Sequence, residues 1–219
     1  MYVCDYCGQE SVKWMGKCPA CGRWDSMKEI HIKSGSGPLS SLPPSKGGQG
    51  SIQVLPLHQI QADDEPRFDM GDGELNRVLG GGLVPGSLVL LGGEPGIGKS
   101  TLTLQTVLRL QGRRILYISG EESARQIKLR ADRLGPVNEG LFVLCETQLE
   151  QIFRHIEEMK PDLVVIDSIQ TIATDEVESS AGSIAQVREC ASQLLRFAKT
   201  SGVPVILIGH ITKEGTLAG

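Results

Sequence analysis

The sequence predicts a small cysteine-rich module joined through a linker to an α/β domain with a mostly parallel sheet. Three observations carry this expectation. Apolar strand-like runs alternate with helical patterns from residue 87 to residue 209, a glycine-rich stretch separates the first such strand from the first such helix, and four of the six cysteines fall within the first 21 residues. A chain of 219 residues accommodates one α/β domain of roughly 150 residues plus a smaller unit. Hydrophobic residues at 40% and charged residues at 22% are near the globular average, so most of the chain is expected to bury a core. The formal net charge of -4 argues against a general polybasic coat that would hold nucleic acid and leaves room for a local basic surface. No run approaches the ~18 apolar residues of a membrane helix, and MYVCDYCGQE lacks the basic-then-apolar layout of a signal peptide. A cytoplasmic protein without a membrane partner is expected.

Taken in order, residues 1–30 form the cysteine module, 31–55 a linker and 56–219 the α/β domain. Within the linker, residues 34–51 hold fourteen Gly, Pro or Ser and a single charge, too little apolar surface to offset ordering entropy. Ser87 to Leu91 reads as a strand, and Leu102, Leu104, Val107 and Leu108 as one helical face that stops near Gly112. RRILYIS gives a buried strand ending at Ser119; a helix from about Glu121 to Leu134 and a short strand LFVLC follow. Leu149, Ile152, Phe153, Ile156 and Met159 mark the next helix, ended by Pro161, and LVVID is apolar enough to be buried on both faces of a parallel sheet. After a loop of about fourteen residues, Ile184, Val187, Ala191, Leu194, Leu195 and Ala198 share one face of a long helix before the strand PVILIG. Strands separated by helices imply βαβ crossovers and three layers.

Cys4-x2-Cys7-x10-Cys18-x2-Cys21 is a pair of C-x-x-C knuckles, with Gly8 and Gly22 after the second cysteine of each. Four thiolates so spaced favour one tetrahedral zinc, and zinc would supply much of the folding free energy of so small a unit. A redox pair or an iron site is the alternative reading. The isolated Cys145 and Cys190 read as small core residues. Residues 1–33 carry five Lys or Arg against four Asp or Glu, which is no basic patch, and Trp14 and Trp24 are expected to cover the zinc site rather than stack on bases.

Gly93-Glu94-Pro95-Gly96-Ile97-Gly98-Lys99-Ser100 satisfies G-x-x-x-x-G-K-[ST] between a predicted strand and helix. Glycines let consecutive N–H groups face phosphate oxygens, and the helix presents its positive end to the same charge. Lys99 is expected to reach the terminal phosphates of ATP, Ser100 to ligate Mg2+, and Thr101 offers the next hydroxyl. Asp167, ending a strand, is placed to orient the Mg2+ shell. Glu121 follows a neighbouring strand and is favoured over Glu122 for activating water; stabilising a helix N-terminus is the other role open to either. His210, Thr212 and Lys213 follow the last strand, where they face the γ-phosphate or serve structure alone.

CDYCGQESVKWMGKCPACGRWDSM, LNRVLGGGLVPGSLVLLGGEPGIGKSTLTLQ, YISGEES, LVVIDSIQT and GHITKEGTLAG together resemble the bacterial RadA (Sms) family of DNA-repair proteins, over essentially the whole chain outside the linker. The resemblance implies a four-cysteine zinc finger or ribbon joined to a RecA-like P-loop ATPase. It further implies stimulation by single-stranded DNA, processing of branched recombination intermediates and branch migration beside a RecA-type recombinase, and a homo-hexamer. By position, Gly93 to Thr101 would bind ATP, Lys99, Glu121 and Asp167 would be catalytic, and His210 to Lys213 would couple nucleotide state to a DNA-binding loop. The family continues beyond Gly219 with a KNRFG motif and a Lon-protease-like domain, so the sheet is expected to be incomplete at its C-terminal end and hydrolysis by this shorter chain weak. The segment Ser168 to Ser183 holds Asp175, Glu176 and Glu178 with no Lys or Arg, a charge that does not support DNA contact. Two other classes stay open: another RecA-like ATPase of helicase or clock type, against which the fused finger argues, and a non-catalytic zinc- and nucleotide-binding module.

Overall fold

The computed structural model describes residues 2–4, 9–29, 56, 66–135 and 138–210; the expected linker, Cys7, Thr212 and Lys213 lie outside these. In the N-terminal module, β1 (Tyr2–Cys4) pairs antiparallel with β2 (Glu10–Ser11) on one side and β3 (Met27–Glu29) on the other. Its small core is Cys4, Cys18 and Met27, with Tyr2 and Cys21 packed against them.

The larger domain begins with the short helix α1 (Gly73–Val78), started by Asp72, whose carboxylate accepts the Leu75 N–H at 2.9 Å. Then follow β4 (Leu88–Gly93), α2 (Lys99–Arg109), β5 (Ile115–Ser119), α3 (Ala124–Leu134), β6 (Leu141–Leu144), α4 (Leu149–Met159), β7 (Leu163–Asp167), a 3-10 turn (Ile169–Thr171), α5 (Ile184–Ser201) and β8 (Val205–His210). The five strands are all parallel in the order β4-β8-β7-β5-β6. Every residue of β5 and β7 is buried, as expected for central strands covered on both faces.

Alternation along these strands feeds two cores. Leu116, Ile118, Val164 and Ile166 face Ile152 and Ile156 of α4 and Leu194 and Phe197 of α5. Ile115, Tyr117, Leu163 and Val165 belong with Leu104, Val107 and Leu108 of α2 and Ile127 and Ala131 of α3. The period of two along each strand thus serves two layers of helices. Ile166 is fully buried, and Ile166→Ala should lower unfolding free energy by about 2–5 kcal/mol, read from the denaturant midpoint.

Several local expectations are corrected. The helix expected from Glu121 starts at Ala124, because Ser123 and Gln126 form a capping box in which the Ser123 N–H donates to Gln126 Oε1 at 2.8 Å. Glu121 and Glu122 therefore belong to the loop before the helix. Leu102 and Leu195, expected on apolar faces, are exposed; Phe197 occupies the buried face of α5 instead. Cys145 is exposed rather than core, since edge strand β6 ends at Leu144. Cys190 is buried as expected, and burial, followed by the charges of Glu150 and Glu189, pushes its thiol up to about 12. Trp14 and Trp24, expected to cover the zinc site, are 59% and 75% exposed, and Tyr2 and Cys21 pack against Cys4, Cys18 and Met27.

The loop from β7 to α5 is tied to the domain by Glu150 of α4, whose carboxylate accepts from the Thr174 hydroxyl at 2.6 Å, and by Gln186. Gln186, buried in the first turn of α5, donates to the carbonyls of Thr174, Val177 and Ser179 at 3.1, 2.9 and 3.1 Å and accepts from the Thr174 N–H at 2.9 Å. These bonds satisfy backbone groups that no strand or helix pairs.

Candidate nucleotide site and metal centre

The glycine-rich loop leaves the end of β4 and enters α2 through Gly98, at φ 95°, a left-handed conformation that favours glycine. Glu94 to Gly98 are exposed, whereas Lys99 is buried to 6% exposure. Lys99 Nζ folds back over the loop and donates to the carbonyls of Gly93 and Glu94, each at 2.8 Å. It also lies 3.3 Å from His210 Nδ1 at the tip of β8. The other ring nitrogen, Nε2, lies 3.7 Å from Glu121 Oε1.

Ser100, one residue into α2, donates its hydroxyl to Asp167 Oδ1 at 2.9 Å. The other carboxylate oxygen accepts from the Tyr117 hydroxyl, within the sheet. Burial and the adjacent Asp167 charge push the Tyr117 phenol well above its ordinary value, so it remains a donor and holds the carboxylate in place. Ser100 and Asp167 thus bring two hard oxygen donors together at the end of β7, the donor chemistry that suits Mg2+. Thr101, half-buried, follows on the same helix.

Glu121 is half-exposed at the C-terminal end of β5, and the fully buried Ser168 donates to its Oε1 at 2.9 Å. Gly120 lets the end of β5 pass close to the 3-10 turn: a Cβ there would stand 2.1 Å from Thr171 Oγ1. Its N–H donates to the Asp167 carbonyl at 3.1 Å, and the peptide between Asp167 and Ser168 is cis. Glu122 is engaged elsewhere, paired with Arg130 at 2.8 Å. Of the two glutamates it is Glu121 that lies with Ser168, His210 and Lys99. Gln170 donates to the His210 carbonyl at 3.1 Å and joins the strand tip to the 3-10 turn.

Lys99, Ser100, Glu121, Asp167 and His210, scattered over more than a hundred residues, therefore converge at one end of the sheet. The sequence does not single out Tyr117 or Ser168. A signal exists for Tyr117: a phenol inside the otherwise apolar, buried run ILYIS needs a partner for its hydroxyl. Ser168 carries none beyond its place next to Asp167.

In the N-terminal module, the sulfurs of Cys4, Cys18 and Cys21 all lie within 4.8 Å of one another, and Cys4 Sγ and Cys21 Sγ are 3.7 Å apart. Thiolates about 2.3 Å from a tetrahedral zinc stand about 3.8 Å from each other, so this donor set fits zinc. Between Cys18 and Cys21 the chain closes a tight hairpin, with Gly22 donating to the Cys18 carbonyl at 2.9 Å. Cys18→Ala or Cys21→Ala is expected to reduce zinc from one ion per chain to a small residue; full occupancy in either variant, measured by elemental analysis, would remove those cysteines from the ligand set.

Residues 58–216 match the family described as AAA domain, and residues 2–29 match one described as rubredoxin metal binding domain. Proteins named DNA repair protein RadA align with the whole chain, at 51% identity over 224 residues in Halalkalibacterium halodurans, 51% over 221 in Bacillus subtilis and 47% over 223 in Escherichia coli. Each alignment covers 100% of this chain and 48% of the relative, so the chain spans about half the length of the curated relatives it matches. Among solved structures, a KaiC-like protein from Pyrococcus horikoshii superposes with a TM-score of 0.57 at 23% identity, over 69% of this chain and 73% of that one, a likeness of RecA-like fold.

Proposed function

Because the chain belongs to the AAA domain family, and is over its whole length a relative of the proteins named DNA repair protein RadA, we propose that it carries the zinc ribbon and ATP-hydrolysing site of a DNA-repair ATPase. The observation that supports this most directly is the Ser100–Asp167 pair, at 2.9 Å, beside a buried lysine and across from a carboxylate with its own hydroxyl donor.

In the reaction we infer, a water oxygen attacks the γ-phosphorus, the bond to the bridging oxygen breaks, and ADP and phosphate leave. Residues Gly93 to Gly98 wrap the phosphates with their backbone N–H groups, apart from Pro95, which has none. Lys99 exchanges the carbonyls of Gly93 and Glu94 for phosphate oxygens, neutralising charge that grows at the leaving group. Ser100 and Asp167 would hold Mg2+, which when bound screens the phosphate charge. Glu121 receives the proton of the attacking water, and Ser168 fixes which of its oxygens is free to do so. His210 stands where it touches both the lysine and the base, and so is suited to carry the presence of the γ-phosphate into the segment after β8.

For the rest we adopt what the RadA resemblance suggests: single-stranded or branched DNA as activator, branch migration of recombination intermediates beside a RecA-type recombinase, assembly as a hexamer, and action in the cytoplasm. The units 1–30, 31–55 and 56–219 are the proposed domains. ATP turnover by a protein containing this chain, measured with and without single-stranded DNA, tests the reading. Stimulation by DNA is expected, and a 219-residue chain that fails to bind Mg2+-ATP in a fluorescent-nucleotide titration would overturn it.

A further inference from the structure

We propose that Trp14 and Trp24, with Lys13 and Lys17, form a base-stacking surface for single-stranded nucleic acid on the zinc module, distinct from the ATP site. The inference rests on the DNA reading above and adds to it a contact surface and a mode of recognition.

Indoles at 59% and 75% exposure are unusual in a small module whose core already holds Cys4, Cys18 and Met27, and Val12 beside them is 89% exposed. The backbone holds this arrangement in place. Lys17 and Trp24 face each other across an antiparallel bridge, flanked by the bonds Cys18 N–H to Arg23 carbonyl at 2.9 Å and Asp25 N–H to Gly16 carbonyl at 2.8 Å. They are therefore a non-hydrogen-bonded pair, the kind whose side chains stand closest, and Lys17 Nζ lies 5.7 Å from the Trp24 ring centroid. Gly16 separates the indoles: a Cβ there would be 3.6 Å from Trp14 Cη2 and 3.8 Å from Trp24 Cζ3, so both six-membered rings converge on a residue without a side chain.

Charge selects the occupant. Between Ser11 and Trp24 the chain carries Lys13, Lys17 and Arg23, with the carboxylates Glu10 and Asp25 just outside this span, so the cations are local to the indoles in a module near neutral balance and a whole chain of net -4. Two largely exposed indoles, one with the Lys17 ammonium over its ring, match a base and its phosphate. Only an unpaired strand presents its bases to such faces, which commits the proposal to single strands over duplex.

Trp14 and Trp24 are the chain's two tryptophans, so intrinsic emission reports on this surface alone. Titrating the zinc-loaded chain with a twenty-nucleotide oligo(dT), about the length that several stacking sites require, is expected to quench that emission saturably, and a duplex of equal length much less. With a labelled oligonucleotide, Trp14→Ala and Trp24→Ala should each weaken binding by about tenfold, Trp14→Phe should recover part of the loss, and Lys17→Ala should flatten the salt dependence. Zinc content unchanged in each variant verifies folding. Anisotropy showing that the chain binds DNA with no change in tryptophan emission, or a double alanine variant with the parent's affinity, would overturn the surface and leave the DNA-repair reading standing. Emission that responds to a recombinase and not to oligonucleotide would overturn it in favour of a protein contact. Absence of any DNA binding, together with DNA-independent turnover, would remove both.

Discussion

Lys99→Ala is expected to abolish productive ATP binding, weakening nucleotide affinity by at least about a hundredfold, since each hydrogen bond from a cation to a charged partner contributes about 1.5–3 kcal/mol and no other side chain of the loop is positively charged. The structure adds a reason why no neighbour substitutes. Lys99 is buried to 6% exposure and its ammonium already spans the carbonyls of Gly93 and Glu94, so the loop closes around this one stem. Lys99→Arg should rescue little, because a planar fork does not fit a pocket closed around a slender chain. Calorimetric titration with Mg2+-ATP measures the loss, and circular dichroism with an unchanged melting profile separates it from unfolding. Tight binding retained by Lys99→Ala would mean that the phosphates sit elsewhere.

Glu121→Gln should leave ATP affinity within a few-fold of the parent while lowering turnover by about 10²–10⁴, the range for loss of a positioned general base. The amide keeps the shape of the carboxylate, and its carbonyl oxygen still accepts from Ser168, which donates to Oε1 at 2.9 Å in the parent. Only the capacity to take a proton is lost. Glu122→Gln provides the contrast. Glu122 is committed to Arg130 at 2.8 Å, so that change should reduce turnover by well under tenfold, through the loop rather than the chemistry. Steady-state rates for the pair decide between them: a larger loss in Glu122→Gln would reverse the assignment.

The chemistry-bearing segments are legible in the amino-acid sequence because each is local. A strand, five residues and a helix suffice to propose a phosphate loop, and two C-x-x-C knuckles suffice to propose a metal centre, since spacing along the chain already sets the geometry. Apolar runs such as LVVID mark the central strands for the same reason: burial on both faces leaves no alternation to misread. Boundaries are less legible. The start of α3 depends on which of several polar residues caps it, and Ser123 does so rather than the glutamates before it.

What the sequence determined by itself, then, is the set of local devices: the phosphate loop, the cysteine knuckles, the order of strands and helices along the chain, and the strand ends on which Asp167 and His210 stand. What only the tertiary structure decided is who meets whom. The order β4-β8-β7-β5-β6 sets β8 beside the phosphate-loop strand, which is why His210 lies 3.3 Å from a lysine 111 residues away. It sets β5 beside β7, which gives Asp167 its Tyr117 and Glu121 its Ser168. Exposure follows the same rule: Cys145, expected in the core, stands outside, and the two tryptophans, expected to cover the zinc site, are largely exposed. The physical reason is that propensity and periodicity act over a few residues, whereas strand order and burial are settled by packing between segments far apart in the chain, and a partner across a sheet leaves no trace in the spacing of either residue.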